Sequence, residues 1–322
     1  MNKKILFVTE SNFSGKINRN NINMRTDLAW ISALDADHCS FSGGIGYSYD
    51  LIVVIIPKKI EKIGNVDSLI GSLRSMLKEN SGKFAVMQEG PNWYYEDYNM
   101  QDQIKYFNIL MGADFILTHN NKDAYYYNGL TNKPTYVMSS LMIEDTIGDI
   151  IPTKEEKTIV GGNFVSWYGG FPSYMVAREF DVPIFSPSMG RKIENESMPG
   201  LIHLPYMQWT DWMKTLSTFK YAVHLMRTHA AGTFALNCAY FSIPCIGYEG
   251  LDTQLMCHPN LTISDGNIKE AKSLAYMLKN DNDFYEECSK QAKEQYNTFF
   301  TEDNFIKRFN YILDIEFKNE KI

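Results

Sequence analysis

A chain of 322 residues with 44% hydrophobic, 14% aromatic and 21% charged residues has the composition of a folded protein, is far from the disordered class, and is long enough for two α/β domains. Its net charge of −7 argues mildly against a broad nucleic-acid surface, and its longest apolar run, residues 51–57, is far short of the roughly 20 residues that cross a bilayer. Five widely spaced cysteines without a Cys-x-x-Cys pair read as reduced thiols rather than as a disulfide framework or a zinc site.

Met1-Asn2-Lys3-Lys4 passes directly into Ile5, Leu6, Phe7 and Val8, with no longer apolar region and no small-residue cleavage site. This reads as a first strand rather than a signal peptide, so the expected location is the cytoplasm. A helical stretch near 24–34 comes next, then a fully apolar strand at 51–56. The helix expected over 67–79 places Leu69, Ile70, Leu73 and Leu77 at helical spacing, and it leads to a strand at 84–88 and a third helix at about 101–111. A strand at 115–118, a tyrosine-rich helix and a strand at 135–138 complete a first domain, 1–152. Strand and helix alternate as in a parallel sheet.

The polar segment 152–157 lacks periodicity and reads as a linker. Thr158-Ile159-Val160, ending at Gly161-Gly162, restarts the pattern in a second domain, 153–300, with a helix near 174–179 and strands at 183–185, 200–202, 221–225 and 244–247. From Ile268 onward the chain reads as helical, with Ala271, Leu274, Met277 and Leu278 as its buried stripe. The expected fold class is α/β, with two doubly wound, Rossmann-like parallel-sheet domains facing a cleft and ligands at the carboxyl ends of their strands.

The segment 228–240 reads as a strand end, a turn of small residues (Ala230, Ala231, Gly232) and a helix opening at Gly232-Thr233. Such a helix start presents backbone N–H groups and the positive end of the helix dipole, which suit a diphosphate. Here the sequence resembles the donor-binding region of GT-B glycosyltransferases. In the uridine-diphosphate-sugar transferases of plants and their relatives, a His touches the diphosphate and a Glu eight positions later holds the ribose. A Pro follows at fifteen, and an Asp-Gln pair that touches the sugar ends at twenty-five. In this chain His229 is followed at those distances by Asn237, Pro244 and Gln254, with Asp252 two before the last. Asn237 replaces the ribose-binding carboxylate, and Asp252-Thr253-Gln254 replaces the contiguous pair. Two glutamates eight apart, usual in retaining enzymes, are missing, so inversion is slightly favoured.

The resemblance implies a sugar moved from a nucleotide-diphosphate donor, UDP-sugar first among them, to a hydroxyl acceptor, with hexosyl or pentosyl transfer and no metal or other cofactor. It implies that the final helix, 301–322, crosses back to the first domain. The glycine-rich loop Gly161-Gly162-Asn163 would face the donor phosphates, and Arg191-Lys192 and Arg227 would neutralise the leaving diphosphate. For the base, Glu89 follows the strand 84–88 and precedes the Gly90-Pro91 turn, the place where phage DNA β-glucosyltransferases, which the chain resembles loosely, carry a catalytic Asp. His119, after the strand 115–118, is the second candidate, with Glu10 and Asn12 behind it.

The acceptor is left open among a glycan, a small molecule and modified DNA. Trp93-Tyr94-Tyr95 and Tyr125-Tyr126-Tyr127 read as core or as a stacking platform, and Lys58, Lys59 and Lys62 as a solvated face or a weak basic patch. A phage-type enzyme acting on 5-hydroxymethylcytosine DNA is the alternative within the class. A non-catalytic binding protein that has lost its ribose carboxylate is the alternative outside it. Abundant Asn, Lys, Ile and Tyr suit an AT-rich bacterial or viral coding sequence.

Overall fold

The computed structural model describes residues 3–10, 14–21, 23–24, 26–41, 48–56, 64–79, 81–88, 90–162, 164–188 and 197–318. Glu89, Asn12, Asn163, Arg191, Lys192 and the Lys58, Lys59 and Lys62 cluster lie outside them. The chain divides into two compact units, one holding residues 25–143 with the N-terminal stretch and 302–322, the other holding 144–301.

Unit 1 runs β1 (Ile5–Thr9), α1 (Asp27–Ala33), β2 (Asp37–Ser40), β3 (Leu51–Ile55), α2 (Val66–Ser75), β4 (Lys83–Gln88), α3 (Trp93–Glu96), α4 (Met100–Gly112), β5 (Phe115–Thr118), α5 (Asn121–Thr131) and β6 (Thr135–Val137). Its six strands are parallel in the order β2-β1-β3-β4-β5-β6. β1, β3 and β5 are buried at every residue, as strands covered on both faces must be. Three of its helices, α2, α4 and α5, start where side chains cap them: Asn65, Asn99 and Asn120 each accept a hydrogen bond from a first-turn N–H. β2 is absent from the sequence reading because its polar sequence, Asp-His-Cys-Ser, carries no apolar run; its buried His38 is held to Thr9 by a 2.7 Å hydrogen bond. Of the tyrosine clusters, Tyr127 belongs to the core with Tyr95 and Tyr126 packed against it, while Tyr125 stands exposed.

Unit 2 runs α6 (Glu144–Ile147), β7 (Glu155–Val160), α7 (Gly170–Ala177), β8 (Ile184–Pro187), β9 (Leu201–Leu204), α8 (Trp209–Leu216), β10 (Phe219–His224), α9 (Thr233–Tyr240), β11 (Cys245–Tyr248), α10 (Asp252–Cys257), β12 (Thr262–Ile263), α11 (Ile268–Asn280) and α12 (Asn282–Phe299). Its strands are also parallel, in the order β12-β11-β10-β7-β8-β9. The unit begins before the polar segment taken as a linker, because α6 is held within it: Tyr296 of α12 donates to Glu144 at 2.8 Å. Glu155, Glu156 and Lys157 form the exposed start of β7 rather than a connector. The stripe of α11 is corrected as well: Ala271, Ala275 and Leu278 are buried, whereas Met277 faces solvent.

The last helix, α13 (Glu302–Lys318), belongs to unit 1. Glu302 forms a two-point pair with Arg19, Phe305 packs on Trp30, and the buried Glu316 accepts hydrogen bonds from Tyr136 at 2.6 Å and Lys83 at 3.3 Å.

Candidate functional site

In unit 2 the chain lays β7, β8 and β9 to one side and then returns to place β10 against the other edge of β7. The crevice between β7 and β10 is therefore the switch point of the sheet, where ligands of open α/β folds bind. Two segments leave the carboxyl ends there. After β7 come Gly161 and Gly162. A Cβ at 161 would lie 2.6 Å from the His224 ring, so only glycine lets the two strand ends lie this close. After β10, the Leu225 N–H donates to Ser173 of α7 at 2.8 Å, and the Thr228 hydroxyl donates to the Trp167 carbonyl at 3.4 Å. These bonds tie the two segments together.

The β10 segment ends at Gly232, whose φ of 67° lies in the left-handed region open to glycine. Its carbonyl accepts from the Thr253 hydroxyl at 2.9 Å. Gly232 opens α9 without a side-chain cap, so the first-turn N–H groups and the positive end of the helix dipole face the loop end. His229 is half-buried and its Nδ1–H donates to the Gly250 carbonyl, which fixes the tautomer because a carbonyl only accepts. Arg227 is exposed, and its Nε donates to Asp265 at 2.9 Å. A surface pair of this kind holds its charge loosely, so an anion can exchange for the carboxylate.

The structure thus brings Gly161, Gly162, Arg227, His229, Gly232 and Thr233 to the carboxyl ends of β7 and β10. Asp252 stands half-buried at the start of α10, after β11. Two further candidates are buried. Gln254 is buried and its amide donates to the Cys245 carbonyl at 2.8 Å, inside the junction of α10 and β11. Asn237 lies 3% exposed in the body of α9, with its Oδ1 unpaired among the described residues. Sequence reading passes over His224, the end of β10, which looks like an ordinary residue of an apolar strand.

In unit 1, His119 is buried, not at a loop surface. Its Nδ1–H donates to the Met138 carbonyl at 3.2 Å, the Trp30 ring packs edge-on, and burial pushes its pKa down to about 4. The turn after β4 is braced on both flanks. Gln88 donates to the Gly90 carbonyl at 2.8 Å, and the Asn92 N–H donates at 2.9 Å to the buried Asp123, which Asn120 also contacts.

Neither the protein-family models nor the curated proteins contain a match to this sequence. Solved structures do match. Sucrose-phosphate synthase from Thermosynechococcus elongatus superposes over 98% of this chain and 100% of its own, with a TM-score of 0.68 at 10% identity. Anabaena HepE, solved with UDP and glucose, covers 97% and 99% with a TM-score of 0.65 at 10% identity. An α-glucosyltransferase solved with UDP and a 13-mer DNA containing an HMU base covers 98% and 99% with a TM-score of 0.65 at 9% identity. With two Rossmann-like units, each on a parallel six-stranded sheet, the chain has the GT-B fold.

Proposed function

We propose that this chain is a glycosyltransferase that moves a sugar from a UDP-sugar to a hydroxyl acceptor. The observation that carries the reading is the β10 segment at the switch point of unit 2. It places a loosely held cation, Arg227, an oriented imidazole, His229, and the uncapped start of α9 together. Those groups suit a diphosphate, and two of the similar structures hold UDP.

In the proposed reaction the acceptor oxygen attacks the anomeric carbon as the bond from that carbon to the β-phosphate oxygen breaks. The electron pair leaves with UDP, and the acceptor proton passes to a base. The α9 dipole and Arg227 take up the charge that grows on the leaving diphosphate, in place of a metal ion. Glu89 is the proposed base. It follows the last residue of β4, and the turn after it is braced by Gln88 and Asp123. His119 is the weaker choice, since a base must reach the acceptor proton and the His119 ring is buried and already donates to Met138.

The test is UDP release from UDP-glucose, UDP-galactose and UDP-N-acetylglucosamine, offered with oligosaccharide, small-molecule and hydroxymethylated-DNA acceptors. Arg227→Ala is expected to lower kcat/KM about tenfold or more with little change in the unfolding temperature, because Arg227 is exposed and paired with a surface carboxylate, and its loss falls on the leaving group. An unchanged kcat/KM removes Arg227 from the site.

A further inference from the structure

His224 ends β10, the strand that borders the crevice of unit 2. It is 4% exposed, and among the described residues neither Nδ1 nor Nε2 has a hydrogen-bond partner. A buried polar atom without a partner opposes folding, so two on one ring call for an explanation. Packing supplies none. The Phe234 ring stands edge-on with centroids 5.1 Å apart, Tyr168 lies tilted at 6.3 Å, and Gly161 lies against the ring. An apolar ring would fill the same space without orphaned atoms. Burial pushes the imidazole down to about 4, so at neutral pH it is uncharged, with one donor and one acceptor nitrogen.

We infer that His224 is a specificity residue for the donor sugar, pairing through its ring with a hydroxyl group of the sugar seated at the end of β10. A hydroxyl both donates and accepts, so it matches a neutral imidazole in either tautomer. A phosphate oxygen only accepts and carries charge; it is better met by Arg227 and the start of α9 than by an uncharged ring among aromatic neighbours. Gly161 meets the ring with backbone alone, and a Cβ there would lie 2.6 Å from it, so glycine keeps this end of the crevice from being filled by a side chain of the turn itself. The inference rests on the glycosyl-transfer reading.

The test is calorimetric binding of UDP, UDP-glucose, UDP-galactose and UDP-N-acetylglucosamine to the full chain, the parent beside His224→Phe and His224→Gln, with the unfolding temperature of each. The parent is expected to bind one sugar conjugate more tightly than UDP. His224→Phe should unfold no earlier than the parent and bind UDP within about twofold, while the advantage of the sugar falls about tenfold. His224→Gln, which keeps a donor and an acceptor, should retain part of that advantage, and it decides the matter if the Phe variant does not fold. An unchanged sugar advantage in either folded variant, or a parent that binds UDP but gains from none of the three sugars, overturns the inference alone. A parent that binds none of the four ligands overturns the transfer reading and the inference with it.

Discussion

Gly232 sets the course of the β10 segment. At φ 67° its backbone is one that other residues adopt with strain, and a side chain there would run into the Thr253 hydroxyl that bonds its carbonyl. Gly232→Ala is therefore expected to lower unfolding free energy by about 1–3 kcal/mol in urea titrations, with Thr253 displaced from the start of α10. A variant as stable as the parent would show that the turn is not held in this conformation. The residues around it divide by access rather than by type. Arg227 is exposed and His229 and Thr233 are half-buried, whereas Asn237, eight residues after His229 and one helical turn after Thr233, is buried. Spacing along the chain locates the glycine turn and the histidine, but it does not say which face of α9 an amide takes or that Gln254 packs under β11. Nor does it mark His224, whose significance lies in the partners that it lacks.

Among the elements, the apolar strands are the legible part, because a strand covered on both faces must read as a continuous apolar run, as β3 and β5 do. β2 and β12 escape the same reading for different reasons: one is polar and held by the Thr9 to His38 bond, and the other is two residues long. α13 reads as an amphipathic helix, but its place in unit 1 depends on partners far away in sequence. Glu316 joins it to Lys83 of β4 and Tyr136 of β6, in a pair that is largely shielded from water. Glu316→Ala should take this acceptor from Tyr136 and Lys83, both partly buried, and destabilise unit 1 by about 1–3 kcal/mol. Denaturant unfolding of the variant measures this, and a loss below about 0.5 kcal/mol, the range of surface substitutions, would mean that α13 is held by its apolar face alone.

For the molecule as a whole, three of the four buried histidines among the described residues set an acid limit. His119 in unit 1 and His224 and His258 in unit 2 are each pushed by burial from 6.5 down to about 4. Their folded-state values lie below the unfolded one, so between these limits the unfolded chain binds protons that the folded chain refuses. The stability they contribute is complete above about pH 6.5 and is lost as the pH falls towards 4, by up to about 1.4 kcal/mol per histidine per pH unit. Urea midpoints should thus fall steadily from pH 7 to pH 4.5, and His224→Phe should flatten that slope. Midpoints that stay level over this interval would contradict the burial of these rings.

The central claim is sugar transfer, and the mass of an acceptor after incubation with the protein and a UDP-sugar tests it most directly. The account predicts an acceptor heavier by one glycosyl residue, formed in step with free UDP, and much less of it with Arg227→Ala. Tight binding of UDP-sugars with no acceptor gaining mass and no UDP released would contradict it, and would leave a GT-B protein that holds its ligand without turning it over.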